Sequence, residues 1–465
     1  MREDPFRREV NAAIGAPISS HLLEFRFPEI RRRKLSNGLY LILIEQHDLP
    51  KIYVRLGLSF GTKNDPVNKA GLSQLLANTL KKGTVSQSYQ EIIDKVEYAG
   101  GDLDAAVNED FFFIYGEFLK ENICIGMEVM SDILLRPSFP VSEIEKERFK
   151  LLADLENEKS SPDFLASRRL NKVLLAPHPY CLYKTAASLQ SIHQKDFIDF
   201  HQNYFHPDQS VLIIGGDINE PEIHRLVDSY FNDWPEKVIT PVVFDSPTPI
   251  TKRSIHLVNR PGSHQSNILM GNIIFHRGHP EFEKMLVMNK ILGGGGSGKL
   301  FLHLREEKGY TYGAYSSLQA FRETGVFSAN AEVRTEVTGE ALQAFFEQFK
   351  LLQHQPVSEE ELYNAQRYLK GIFPLQNETA ASIAALALKQ LLYGLGENYW
   401  DEYLDKIGQV NQTDIMQMAQ KYVRQDEMIV VVVGDANQLI EQVKDFGTVQ
   451  IYDLDDNLVN ETNYI

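Results

Sequence analysis

The stretch Asp196–Asn219, DFIDFHQNYFHPDQSVLIIGGDIN, returns without a gap as Asp414–Asn437, DIMQMAQKYVRQDEMIVVVVGDAN. The copies lie 218 positions apart, so that Tyr204 falls on Tyr422, Gly216 on Gly434, Asp217 on Asp435 and Asn219 on Asn437. Self-similarity at a fixed offset reports architecture before any element is assigned. Each copy reads as an amphipathic helix, a turn, and a continuous apolar strand closed by Gly-Asp. VLII and IVVVV do not alternate, which predicts strands buried on both faces. A further helical stretch follows each, PEIHRLVDSYFNDW from Pro221 and NQLIEQVKDF from Asn437. The chain is therefore expected to be a duplication, each half an α+β unit with helices packed on one sheet.

Working outward, Pro235, Pro241, Pro247 and Pro249 fall between the copies in a stretch without helical period, which marks a linker with its boundary near residue 245. At 465 residues, 43% hydrophobic and 24% charged, the chain is long enough for two cores and has an ordinary globular composition. A formal charge of -16 argues against an extended nucleic-acid footprint. Cys124 and Cys181 form neither a disulfide framework nor a zinc knuckle and are expected to be buried or inert thiols. MREDPFRREV carries no apolar h-region and no run of about 18 apolar residues occurs, so neither a signal peptide nor a membrane span is expected. The cytoplasm is the expected compartment, with periplasm or an organelle as the alternative where a leader has been removed.

In the first half LYLILIEQ and KIYVRLGLSFGT precede KAGLSQLLANTLKKGT. The last has helical period, with Leu72, Leu75, Leu76 and Leu80 on one face and Gln74, Ala77, Asn78 and Lys81 on the other, where they read by themselves as a solvated helix face. GLSQLLANTLKKGT resembles the GLAHFLEHMLFKGT type of segment found in pitrilysin/insulinase (M16) zinc peptidases, matching at Gly71, Leu72, Leu76, Leu80, Lys82, Gly83 and Thr84. The family's HxxEH signature then falls on Gln74, Ala77 and Asn78. Two imidazoles at i and i+4 hold zinc there while the glutamate takes a proton from its water. Amides are weak ligands and alanine has no base, so the resemblance implies a lost metal site. The family's third ligand, a glutamate, falls by its usual distance at Asp154 in ERFKLLADLENEK.

In the second half ILGGGGSGKLFLHLREEKGYTYGAYSS resembles the family segment LGGGxSSRLFxxLRExxGLAYSVSS, whose arginine and tyrosine bind substrate and support the transition state. They fall on Arg305 and Tyr312, both able to donate to a peptide carbonyl or developing oxyanion. Read without the family, Arg305 is a surface residue in a local ion pair and Tyr312 a core residue. FLHLREEK reads as a short amphipathic helix and YTYGAYSS as strand. Ala99-Gly100-Gly101 before LDAAVNEDFFFIY matches the family's peptide-pairing edge strand, with Asp104 in place of the usual asparagine. His178, before a helix start at Ser188, reads as a capping or packing histidine. The glycines from Gly293 to Gly296 read as an exposed, mobile run.

The resemblance, spanning roughly residues 30 to 445, implies an α+β fold of two homologous α/β domains, the LuxS/MPP-like metallopeptidase roll, each a mostly antiparallel sheet covered by helices. It implies an N-terminal extension at 1–29, domains at 30–240 and 254–446 joined by a linker at 241–253, and a C-terminal tail at 447–465. It implies a non-catalytic, substrate-binding subunit with no metal of its own. Zinc and general base would come from an HxxEH-bearing partner in a heterodimer, with a homodimer as the alternative, and the isolated chain would be inactive. A structural scaffold is the rival reading. A phosphate-binding loop at GGGGSGKL is disfavoured because Leu300 stands where a hydroxyl is needed and EFEKMLVMNKIL before it reads as helix.

Overall fold

Both copies of the repeat form a central strand, and the two sheets built around them share the order of five strands. The computed structural model describes residues 25–237 and 242–462; residues 1–24 of the expected extension, 238–240 at the end of the expected first domain, 241 of the expected linker and 463–465 of the expected tail lie outside it. In the first half β1 (Arg31–Lys34), β2 (Tyr40–Glu45), β3 (Lys51–Leu58), β4 (Asp102–Val107), β5 (Phe112–Leu119) and β6 (Ser210–Gly216) form a sheet of order β1-β2-β6-β3-β5-β4. In the second, β7 (Ser254–Asn259), β8 (Gln265–Ile274), β9 (Thr311–Ala320), β10 (Gly325–Arg334), β11 (Ile429–Gly434), β12 (Thr448–Tyr452) and β13 (Leu458–Thr462) run β13-β12-β7-β11-β8-β10-β9. The segment β2-β6-β3-β5-β4 thus repeats as β7-β11-β8-β10-β9. Pairing is antiparallel except β2 with β6, β7 with β11 and β7 with β12.

Every residue of β6 and of β11 is buried, as their unbroken apolar runs require. One face of each sheet meets its own half's helices, giving one large core around Leu76, Met130 and Phe197 and another around Met288, Phe345 and Ile415. The opposite faces are covered by exchange. Pro162–Leu175, of the first half, lays Leu165, Leu170 and Leu174 against Val258, Val431 and Val433 of the second sheet. Ala380–Leu392, its counterpart at the repeat offset, lays Ile383, Ala387 and Leu388 against Ile42, Val211 and Ile213 of the first. Each half therefore completes the other.

Three expectations need revision. The C-terminal stretch expected as a tail at 447–465 supplies β12 and β13. It also holds the exchanged helix: Arg169 donates to Tyr452 Oη (2.9 Å) and Asp456 (3.1 Å), and Lys172 pairs with Asp456 at 2.6 Å. Within the expected extension, Phe25 packs edge-on against Phe373 of the second half at 4.8 Å. Cys124 is exposed rather than buried; Cys181 is half-buried, and burial raises its thiol. Among the described residues no helix is long and apolar enough to cross a membrane.

Candidate functional site

The HxxEH-aligned residues lie on the helix Leu72–Thr79. Its entry needs a left-handed residue, supplied by Gly71 at φ 98°. Asp65 caps it from a distance, accepting from the backbone N–H of Gly71 (2.8 Å) and of Ser73 (3.0 Å). Burial pushes the Asp65 carboxyl up to about 6 in spite of these donors.

The face carrying Gln74, Ala77 and Asn78 is not the solvated surface that periodicity suggests. Gln74 and Asn78 are half-buried, and Ala77, at 2% exposure, belongs to the core with Leu76 and Leu80. The helix is largely covered because it packs against β4 and the helix Val141–Glu158. Asp154 does not join the three. It points to solvent, while the sides of its helix turned inward carry Glu147, Leu151 and Leu155. No set of three or more His, Cys, Asp or Glu side chains converges on one point among the described residues. Two amides, a core alanine and a remote carboxylate do not fit a zinc ion.

The family-matching Lys82, Gly83 and Thr84 have structural roles. Lys82 stands 4.0 Å over the Tyr89 ring and 3.4 Å from Glu147. Thr84 Oγ1 donates to the buried Asp132 at 2.5 Å, joined there by Ser86, Gln87 and Arg136. Burial alone would raise Asp132; these donors outweigh it and hold the carboxyl below its ordinary value.

One turn beyond the motif, Lys81 reaches the edge strand β4. Its Nζ donates to Leu103 O at 3.1 Å and pairs with Asp104 at 3.0 Å, while Asp104 Oδ1 accepts from the N–H of Ala105 at 2.8 Å. Leu103 and Ala105 are two residues apart, so their main-chain groups point to the same side of the strand. A C=O and an N–H that an added strand would engage are thus already held by one lysine-aspartate pair. Sequence reasoning noted Asp104 but missed Lys81; a lysine one turn past a helix motif, opposite an acid on the next strand, is the available signal.

Arg305 and Tyr312 are presented differently. The helical turn Lys299–Phe301 runs into a π-helix over Leu302–Glu307, not the plain amphipathic helix expected, and a turn at Gly309 leads into β9. Wide turns of this kind are frequent at functional sites. Arg305 lies with its guanidinium 4.7 Å from the Phe301 ring centroid and meets Glu306 only loosely, at 3.4 Å. Tyr312 is 88% exposed, which overturns its reading as a core residue, and its hydroxyl has no hydrogen-bond partner among the described residues.

The glycine run before this segment starts inside a helix and continues as a turn. Gly293 is buried as the last residue of the helix Phe282–Gly293, and a Cβ there would lie 2.4 Å from Ser316 N on β9. Lys290 pins the next turn by donating to Gly294 O at 2.6 Å. Because a helix and not a strand precedes the glycines, the phosphate-loop geometry is absent. His178 accepts from Tyr180 N at 3.1 Å and lies 3.0 Å from Glu323, a buried capping histidine, and the helix after it starts at Ala186 under a Thr185 cap instead of at Ser188.

Fold and site together define a duplicated two-domain protein of the metallopeptidase-roll type whose metal-binding helix has become core. Residues 40–180 match the family model described as insulinase (peptidase family M16), and residues 191–369 match the peptidase M16 inactive domain. The chain belongs to the M16 family. It is 22% identical over 414 residues to the uncharacterized zinc protease YmxG of Bacillus subtilis, covering 88% of this chain and 99% of that protein. It is 22% identical over 399 residues to the non-peptidase homolog YmxG of Helicobacter pylori, covering 85% and 91%. Among solved structures it resembles a peptidase M16 inactive domain from Pseudomonas fluorescens, with TM-score 0.81 and 23% identity over 88% of this chain and 98% of that one. A protease from Helicobacter pylori gives TM-score 0.82 at 20% identity, over 87% and 99%. The relatives' names divide between protease and non-peptidase; Gln74, Ala77 and Asn78 put this chain with the non-catalytic members.

Proposed function

We propose that this chain is the substrate-binding subunit of a two-chain M16-type zinc peptidase that degrades or processes unfolded peptides, with zinc and general base carried by an HxxEH-bearing partner. The observation that carries this reading is the exposure of Tyr312 on the strand that follows the Arg305 turn. Folding gains little from a tyrosine that is 88% exposed and whose hydroxyl has no hydrogen-bond partner among the described residues. A phenol and a guanidinium free to donate suit a peptide carbonyl or its oxyanion in the partner's site. A scaffold role is the second reading, favoured by the occupied edge of β4.

The test is to purify the chain alone and with an HxxEH-bearing partner, then measure zinc content and peptide cleavage. The complex should cleave and the isolated chain should neither cleave nor hold stoichiometric zinc. Within the complex, R305A or Y312F should lower kcat by about 100-fold or more, as the loss of one oxyanion donor does, and leave chain stability within about 0.5 kcal/mol. Unchanged turnover in both variants would leave the scaffold reading.

A further inference from the structure

On the first sheet, the exchanged helix Ala380–Leu392 leaves a cavity of about 210 Å³ beside the strands. Tyr53 and Arg55 of β3, Tyr115 and Glu117 of β5, Asp102 of β4 and Ala384 of the helix line it. Its volume is many times the roughly 10–15 Å³ of such space that one water needs.

Arg55 is the anomaly. Its guanidinium lies 5.5 Å from the Tyr115 ring centroid and 5.8 Å from that of Phe113. Its Nε is fully buried without an acceptor, and no carboxylate or carbonyl among the described residues takes a hydrogen bond from any of its nitrogens. Asp102 accepts from Glu117 N at 3.1 Å and Glu117 pairs with Lys51 at 3.0 Å, so the acids of the rim are engaged elsewhere. Burial lowers the guanidinium's pKa, and Lys389 on the exchanged helix is held below the usual lysine range by desolvation and then by Arg277 and Arg55. Asp102 and Glu117 line the same cavity, yet neither is hydrogen-bonded to Arg55 among the described residues.

The duplication supplies an internal control. Arg55 pairs with Ile213 of β6, Ile213 repeats as Val431 of β11, and Val431 pairs with Leu269 of β8. Leu269 is thus the counterpart of Arg55, and it lines the equivalent cavity of about 270 Å³ under the other exchanged helix. That cavity presents Ser167, Asn171, Gln319 and Asn330 and no cation. A leucine fills the structural place; the arginine puts a half-buried guanidinium there, its Nε buried without an acceptor.

We propose that the Arg55 cavity binds a carboxylate of an extended peptide, either its C-terminus or an acidic side chain. The planar fork of Arg55 matches a carboxylate, and Tyr53 and Tyr115 offer flat apolar walls. The site lies within one chain and needs no metal, so it stands or fails apart from the shared active site proposed above.

The experiment titrates the full chain with three short acetylated alanine-serine peptides: one with a free C-terminus, one amidated, and one amidated with an internal glutamate. At least one acidic form should bind, and the neutral amide should bind at least tenfold more weakly. Binding by the free acid alone assigns the C-terminus; binding by the glutamate peptide alone assigns the side chain; binding by both assigns the carboxylate in general. R55L should weaken binding at least tenfold with the melting temperature unchanged or raised, and R55K, which keeps charge but loses the fork, should fall between. Equal affinity for acidic and neutral peptides, no binding by any of them, or an R55L chain that binds as the wild type does would overturn the proposal. A large fall in melting temperature for both R55L and R55K would assign Arg55 a structural role and overturn it as well.

Discussion

Restoring the zinc signature on paper takes three substitutions, Q74H, A77E and N78H, and the structure separates their costs. Ala77 is 2% exposed within an apolar cluster, whereas Gln74 and Asn78 are half-buried and bonded to nothing among the described residues. A glutamate at 77 has no partner there and stays protonated. Holding it neutral at pH 7 against an unfolded pKa near 4.3 costs about 3.7 kcal/mol, and forcing the longer side chain into packed surroundings adds about 1–3 kcal/mol. The total, roughly 5–7 kcal/mol, approaches the whole stability of a domain and corresponds to a fall in melting temperature of about 10–25 °C. The sign with pH is definite. A carboxyl whose folded pKa is raised contributes its full stability below the unfolded value and loses it as pH rises through the folded one, so A77E should be far closer to wild type at pH 4.5 than at pH 8. Q74H/N78H should melt within about 1 kcal/mol of wild type at both. The assay is thermal and urea unfolding of the three chains at the two pH values, with metal analysis after dialysis against zinc. An A77E chain as stable as wild type at pH 8, or a triple variant retaining one zinc per chain, refutes the claim that this helix has been repacked as core.

Two further outcomes follow from the exchanged helices. Expressed separately, residues 25–237 and 242–462 should each be insoluble or molten, and co-expression should restore a folded complex. Losing the helix Ala380–Leu392 uncovers Ile42, Ile44, Val211, Ile213 and Phe111 at about 1.5–3 kcal/mol each, a sum comparable to a domain's stability; a sharp, cooperative melt of either half alone would count against this. His256 sits buried between Arg169, which donates to its Nδ1 at 3.3 Å, and Ser254, and burial followed by the Arg169 charge pushes its pKa down to about 3. A histidine with a lowered folded pKa gives stability that is full above about 6.5 and lost as pH falls, so stability should drop between pH 6.5 and 4 by up to about 1.4 kcal/mol per unit. H256Q should flatten that slope, and an unaltered slope in urea melts would exclude His256 as its source.

The repeat was legible because both copies keep a strand buried on both faces, and such a strand cannot hide in sequence: it is an unbroken apolar run. The exchange of helices was not legible. Pro162–Leu175 and Ala380–Leu392 are ordinary amphipathic helices, and periodicity says that a face is buried without saying against which sheet. For the same reason Ala77 was misjudged, since alanine suits either side of a helix and only the packing against β4 and Val141–Glu158 decides. The tail was misread because β12 and β13 follow the second repeat and have no close equivalent in the first half beyond β1. Asp154 fell by counting distance along the chain, but one residue is 100° around a helix, and the count put an exposed acid where Leu151 and Leu155 face inward.

The two edge strands bear on how substrate would be held. Beside β4, Lys81 and Asp104 occupy Leu103 O and Ala105 N. Beside β9, Asn289 donates to Ser316 O at 3.3 Å, and Gly293 lets its helix close on the Ser316 backbone. Each half thus ties its edge to the helix next to it with side chains from within the same half, and an extended peptide would have to displace those bonds to add as a strand. Arg305 and Tyr312 stand clear of both ties. They offer side-chain donors outside those ties. On the proposed reading this chain would touch the peptide through these two side chains rather than by adding it as a strand.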